Sequence, residues 1–219
     1  MDLFSSVIGF FQDGGVFMYP IAIVLAIGIA IAAERYVYLA NQVRINKRDF
    51  NAMLPLLQNG KLQELMKAAK ASPSAMSRIV GDGVARFARG TRERSDIEYA
   101  MEEGLLEILP NIERRTPYLA TFANVATLLG LLGTIIGLIA AFTAVANADP
   151  AEKAALLSQS ISVAMNTTAF GLIVAIPLLL THSMLQSKTS SIVESLEIAM
   201  VKFVNLMDQA PAAPAAARA

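Results

Sequence analysis

"TPYLATFANVATLLGLLGTIIGLIAAFTAVANA", residues 116–148, runs for 33 residues without a charged side chain. About 20 apolar residues are enough for a helix to cross a bilayer core. Two further uncharged runs accompany it. Gly14 to Ala33 lies between Asp13 and Glu34, and the interval between Lys153 and Lys188 is interrupted only by the single histidine, His182. Three such helices buried in a soluble protein would need far more chain to cover them than 219 residues supply. The reading is an all-α membrane protein with three transmembrane helices and a helical cytoplasmic segment, its long helices extending from the membrane into the cytoplasm.

Composition agrees. Charged residues make up 16 % of the chain and hydrophobic residues 55 %, against about 25 % charged in an ordinary soluble domain. A formal net charge of +0 points to no nucleic-acid partner. Without cysteine there is no disulfide framework and no thiol chemistry. The N-terminus, Met1-Asp2-Leu3-Phe4, carries no basic region and no small-residue cleavage site follows, so the first span is expected to be retained.

Basic residues set the orientation. Thirteen of the 18 Lys and Arg residues lie in 41–115, three in the tail after the third span, one (Lys153) between spans two and three, and none in 1–16. Positive charge stays inside. The expected order is therefore a periplasmic amphipathic segment at 1–15, transmembrane helix 1 at 16–40 and a cytoplasmic helical segment at 41–115. Transmembrane helix 2 follows at 116–147, a short periplasmic loop at 148–155 and transmembrane helix 3 at 156–185. A cytoplasmic C-terminal helix at 186–209 and a disordered Ala/Pro tail at 210–219 complete it. Residues 3–11 (LFSSVIGFF) have two readings, a surface helix on the outer leaflet or an early first turn of span one.

Within 41–115, Asn59-Gly60 reads as a turn between two short helices, and 74–89 as a further helix. Ile97, Met101, Leu105, Ile108 and Ile112 form a helical stripe, with Pro110 and Pro117 expected to bend the chain as it enters the membrane. No metal cluster, phosphate loop or nucleophile triad appears, so neither a metal nor a cofactor nor an enzymatic activity is expected. His182 reads as an interfacial histidine, and Glu34-Arg35 as an interfacial anchor or ion pair.

The glycines of span two have an angular logic. On a wheel of about 100° per residue with Gly130 at zero, Ala123, Ala126, Thr127, Gly133, Thr134, Gly137 and Ala141 fall within about 60°. Leu128, Leu131, Leu132, Ile135, Ile139 and Phe142 fall outside that arc. In span three, Ser160, Ala164, Thr167, Gly171 and Ala175 lie within about 100° of Thr168, all on one side. Each helix thus presents a small face bearing hydroxyls. Two such faces can pack on one another, small residue to small residue. Repeated around a symmetric ring, they can instead line a narrow, weakly polar lumen that accepts another helix. Neither span offers an Asp, Glu, Lys or Arg in its hydrophobic part. Carboxylates are the usual intramembrane proton carriers, so one would have to come from a partner helix.

"YLATFANVATLLGLLGTIIGLIAAF" and "ISVAMNTTAFGLIVAIPLLL" resemble the MotA/TolQ/ExbB proton-channel family, and three spans at this length resemble its ExbB/TolQ branch. The resemblance implies a multi-pass subunit of the bacterial inner membrane, N-terminus periplasmic and C-terminus cytoplasmic. It implies a pentamer around an ExbD/TolR-like single-span partner whose membrane aspartate carries the proton, and through it a TonB-like protein. Energising TonB-dependent transport is the first expectation, with a TolQ-like or gliding-type motor or a helix-packing scaffold as alternatives. By this resemblance the pore threonines are Thr134 in "GLLGT" and Thr168 in "NTTAFGL", with Thr127 and Thr167 beside them. Gly130, Gly133, Gly137, Ala164, Gly171 and Ala175 serve helix packing or partner contact. Relatives often carry a glutamate five residues before the second threonine; here that residue is Val163.

Overall fold

The computed structural model describes residues 10–11, 14–90, 93–146 and 148–209. Six helices lie wholly within them: α1 (Met18–Gln58), α2 (Leu62–Ala71), α3 (Ala75–Ala88), α4 (Arg94–Glu113), α5 (Thr116–Ala146) and α6 (Lys153–Gln209). Among the described residues there is no strand. Three helical stretches, Met18–Gln58, Arg94–Ala146 and Lys153–Met207, are long and apolar enough to cross a membrane. In lipid a backbone must satisfy its own hydrogen bonds, and a helix does so within one segment. Most of the 1–15 segment and all of the 210–219 tail lie outside the described residues.

The chain divides into two compact units. The first comprises residues up to Arg35 with Arg115–Met184, and the second Tyr36–Arg114 with residues from Leu185 onward. The first unit is built small-side-in. Ala123, Ala126, Gly130, Gly133 and Ala141 of α5 are buried, and so are Ala164, Gly171 and Ala175 of α6. The large residues point outward, Phe142 being 65 % exposed and Ile139 62 %. This inverts the pattern of a water-soluble core and suits a lipid surround, where large side chains meet hydrocarbon and small ones let backbones approach. On α1, Gly28 faces Leu178, whose side chain occupies the space a Cβ would need.

The sequence reading placed the bend before span two at Pro110 and Pro117. The structure breaks the helix elsewhere. Pro110 lies inside α4. Pro117 sits in the first turn of α5, where a missing N–H has no intrahelical acceptor to lose. The interruption falls at Arg114–Arg115, with Arg115 at φ 66°, a left-handed conformation that a residue with a Cβ adopts only when its surroundings hold it there. Here Arg115 pairs with Glu34 of α1 at 3.2 Å.

In the second unit, Ile97, Met101, Leu105, Ile108 and Ile112 form the buried stripe of α4. The turn at Asn59-Gly60 is present, with Gly60 at φ 67° and the Lys61 N–H donating to Leu56 O at 2.9 Å. The helix before it is not a separate short one. α1 continues unbroken from the apolar run, because Arg44 to Arg48 are compatible with helix and no glycine or proline intervenes until Pro55. α3 and α4 pack closely at Gly104, where a Cβ would stand 2.7 Å from Asp82 Oδ2. Burial pushes the Asp82 carboxyl up against the opposing pull of Arg78, and Glu107 and Glu103 add to the rise.

A polar latch joins α1 to the α2–α3 connection. Asp49, 7 % exposed, accepts from the Ser72 and Ser77 hydroxyls and from Arg48 Nε. Asn46 Oδ1 accepts from the Met76 N–H at 3.2 Å. Burial alone would raise the Asp49 carboxyl; the bonds from Ser72, Ser74, Arg48 and Ser77 outweigh it and hold it below its ordinary value. A value lower in the folded than in the unfolded state stabilises the fold at neutral pH, and that contribution is lost as pH falls below about 4. Asp49→Asn is expected to weaken the second unit by about 2 kcal/mol at pH 7 and by less at pH 3. Hydrogen exchange of the 72–77 amides at the two pH values measures this.

Candidate functional site

The α5–α6 connection is short, and the two helices return antiparallel with their glycines in register. A Cβ on Gly171 would stand 2.7 Å from Ala126 O and 3.1 Å from Gly130 Cα. One on Gly130 would stand 3.3 Å from the Gly171 and Thr168 Cα atoms, and one on Gly137 2.8 Å from Ala164 Cβ. Side chains here would hold the backbones apart. The small faces therefore pack against each other within one chain.

That close approach brings Thr134 and Thr168 together. Their hydroxyls hydrogen-bond to each other. Thr168 Oγ1 donates to Gly130 O across the seam at 2.8 Å. Thr134 Oγ1 lies 3.3 Å from Gly130 O and 3.4 Å from Ala164 O. Each hydroxyl has one proton and two lone pairs. With Thr168 donating to Gly130 O, Thr134 can donate to Thr168, which leaves lone pairs on both oxygens for water. Rotating the Thr134 hydroxyl toward either carbonyl gives a second setting of the same pair. Both residues are half-buried, so the pair is sheltered but reachable from one side. This arrangement can accept and reorient a hydrogen bond, and it holds no fixed charge.

The other two threonines stand apart from the pair. Thr127 is exposed, and its hydroxyl donates back to Ala123 O at 3.1 Å. Thr167 is 2 % exposed, turned toward the start of the chain. Its hydroxyl donates to Gly14 O at 2.5 Å and lies 3.1 Å from Val163 O. Gly133 faces the Thr167 side chain, with Phe17 Cβ 3.4 Å from its own Cβ position. Thr167 and Gly133 thus seat the turn that precedes α1. The role of Gly14 is the part sequence reasoning did not reach; its only signal was the Gly14-Gly15 pair. Ala175 is buried at 2 % exposure.

Around this point Phe10 and Phe11 meet Phe170 edge-on at 6.3 and 5.4 Å between ring centroids, and Phe11 meets Tyr19 at 5.9 Å. Val163 Cγ1 lies 3.3 Å from the Cβ position of Gly15.

A family model described as the MotA/TolQ/ExbB proton channel family matches residues 71–198. A "Putative biopolymer transport protein ExbB homolog" of Methanothermobacter thermautotrophicus is 31 % identical over 200 residues, covering 90 % of this chain and 69 % of its own. The Tol-Pal system protein TolQ of Haemophilus influenzae is 28 % identical over 140 residues, 60 % of this chain and 61 % of its own. The biopolymer transport protein exbB1 of Vibrio cholerae is 28 % identical over 167 residues, 76 % of this chain and 73 % of its own.

Proposed function

The chain belongs to the MotA/TolQ/ExbB proton channel family, and from that premise we propose that it is the stator subunit of a proton-driven inner-membrane motor. Its N-terminus faces the periplasm. Residues 41–115 and 186–209 face the cytoplasm, and 148–155 form the outer loop. Several copies, five by family analogy, surround the helix of an ExbD/TolR-like single-span protein. That helix brings the carboxylate that spans two and three lack. Thr134 and Thr168, with Thr127 nearer the inside, hydrate the path beside it. Thr167 holds α6 to the turn before α1 and positions the pair without lying on the path. The energised process is TonB-dependent transport, with Tol-type envelope maintenance as the alternative.

The observation that supports this reading most is the Thr134–Thr168 hydroxyl pair, half-open and uncharged. A stripe that served packing alone would be met by alanine at both positions. The second reading, a scaffold whose small faces only pack helices, draws its support from the Gly130–Gly171 approach. The two differ over the partner. Vesicles holding this chain alone are expected to leak almost no protons. Adding the single-span partner should open the flux, and an Asp→Asn change in that partner's membrane carboxylate should close it. Equal flux with and without the carboxylate contradicts the proposal.

A further inference from the structure

We propose that His182 is the proton acceptor at the inner end of the path that begins at Thr134 and Thr168. The inference rests on the proton-carrying reading above and goes beyond it, since that reading leaves unassigned where the proton is released.

Register comes first. His182 is the only titratable side chain between Lys153 and Lys188. It follows Thr168 by 14 residues, which at about 100° per residue returns it to within about 40° of Thr168, about 21 Å further along α6. Ala175 stands midway on the same face. The hydroxyl pair and the imidazole therefore lie on one line of the helix, separated by most of a bilayer core about 30 Å thick.

Burial comes second. On that side of α6, Ala175 is 2 % and Leu178 3 % exposed, while Leu179, one turn before His182, is 44 % exposed. His182 is half-buried, at the border between the packed and the open side of the helix. Among the described residues it makes no hydrogen bond or ion pair. A half-buried polar ring without a partner among the described residues is stabilised by water or by another polar group. An ionisable side chain inside a span ordinarily marks an ion path.

The other titratable or charged residues that border the apolar runs at this end in the sequence are Glu34, Arg35, Arg115, Tyr118 and Lys188. Glu34 and Arg115 are paired with each other at 3.2 Å. Arg35 is buried at 2 % exposure, and Lys188 sits over the Tyr36 ring at 4.5 Å from its centroid. The Glu34 carboxylate thus already has a cationic partner, whereas an imidazole nitrogen can take up a proton and release it again. In the proposed step the partner's carboxylic acid gives its proton to water in the path beside Thr134 and Thr168, which regenerates the carboxylate, and the proton passes along that water until an imidazole N–H forms at His182. The imidazolium then gives its proton to cytoplasmic water and returns to neutral, so no proton is gained or lost by the complex over a cycle.

The single histidine makes the test direct. The full chain carries 15N-histidine and a histidine-free affinity tag, and is assembled with its unlabelled partner in vesicles whose two sides are buffered separately. Imidazole 15N shifts report protonation, and a dye reports flux. His182 protonation is expected to follow the pH on the side of the 41–115 segment and to ignore the other side. His182→Gln and His182→Phe should both assemble normally and lower flux by at least about tenfold, and added imidazole should restore part of it in His182→Gly. Protonation that follows the opposite side, or that changes with neither side, overturns the proposal. Thr168→Val in the same vesicles separates the two claims. If it lowers flux while the His182 variants do not, only the His182 assignment fails. If Thr168→Val and the His182 variants all carry full flux, the proton-path reading fails with it.

Discussion

Gly171→Leu is expected to abolish the assembled complex, and Gly171→Ala to weaken it severely. The reason is what a side chain would meet. Ala126 O at 2.7 Å and Gly130 Cα at 3.1 Å from the added Cβ are both backbone of α5, so neither can rotate away. Overpacking inside a well-packed core typically costs about 1–3 kcal/mol, and here even one methyl must move a whole helix. As α5 withdraws it takes Gly130 O from Thr168 and Thr134 from its partner hydroxyl, so hydrogen bonds fail together with the packing. Gly137→Ala should weaken the complex as well, because its obstacles, Ala164 Cβ at 2.8 Å and Cα at 3.3 Å, are fixed to the backbone of α6. Gly81→Ala in α3 is the matched control. Its Cβ would lie at an ordinary 3.5 Å from Ala69 Cβ, and glycine to alanine within a helix is worth about 0.5–1 kcal/mol in favour of alanine. Native mass spectrometry of the detergent-extracted complex orders these variants; a fully assembled Gly171→Leu complex contradicts the α5–α6 packing described here.

Thr134→Val with Thr168→Val carries the largest expected functional effect. Valine keeps the branched shape and close to the volume of threonine, so the seam at Gly130 and Gly171 should close as before. The carbonyls of Gly130 and Ala164 keep their own helical N–H donors when the hydroxyls go, which leaves no buried group stranded. What disappears is the pair of groups able to accept and redirect a hydrogen bond. Proton flux is expected to fall by at least about a hundredfold while assembly and thermal stability stay near wild type. Under the scaffold reading the same double variant is silent, because only size matters there.

How much of this was visible in the sequence depends on the range of each interaction. The spans were legible because an uncharged run of 33 residues has a meaning that does not depend on its neighbours. The helical wheels placed Thr134 and Thr168 on small faces because 3.6 residues per turn is a local rule. That the hydroxyls bond to each other needed the register between α5 and α6, which the glycine-to-glycine contact sets in three dimensions. Thr167 looked like a fourth member of the same stripe. Its hydroxyl instead meets Gly14 O, 153 residues away in sequence, and no periodicity encodes such a contact. The break at Arg115 escaped for a related reason. Proline is the usual signal for a bend, whereas a left-handed arginine just past the end of a helix, here paired with Glu34, has no such signal in the sequence. The Asp49 latch likewise joins residues 23 and 28 positions apart.

The central claim is that two uncharged hydroxyls, beside a carboxylate from another chain, let protons pass. The most direct test is proton flux into vesicles that hold the assembled complex, compared among the wild-type chain, the Thr134→Val, Thr168→Val double variant and the Thr134→Ser, Thr168→Ser double variant. The account predicts flux near wild type for the serine pair, which keeps both hydroxyls, and flux near background for the valine pair at equal assembly. Equal flux through the valine and serine complexes would contradict it.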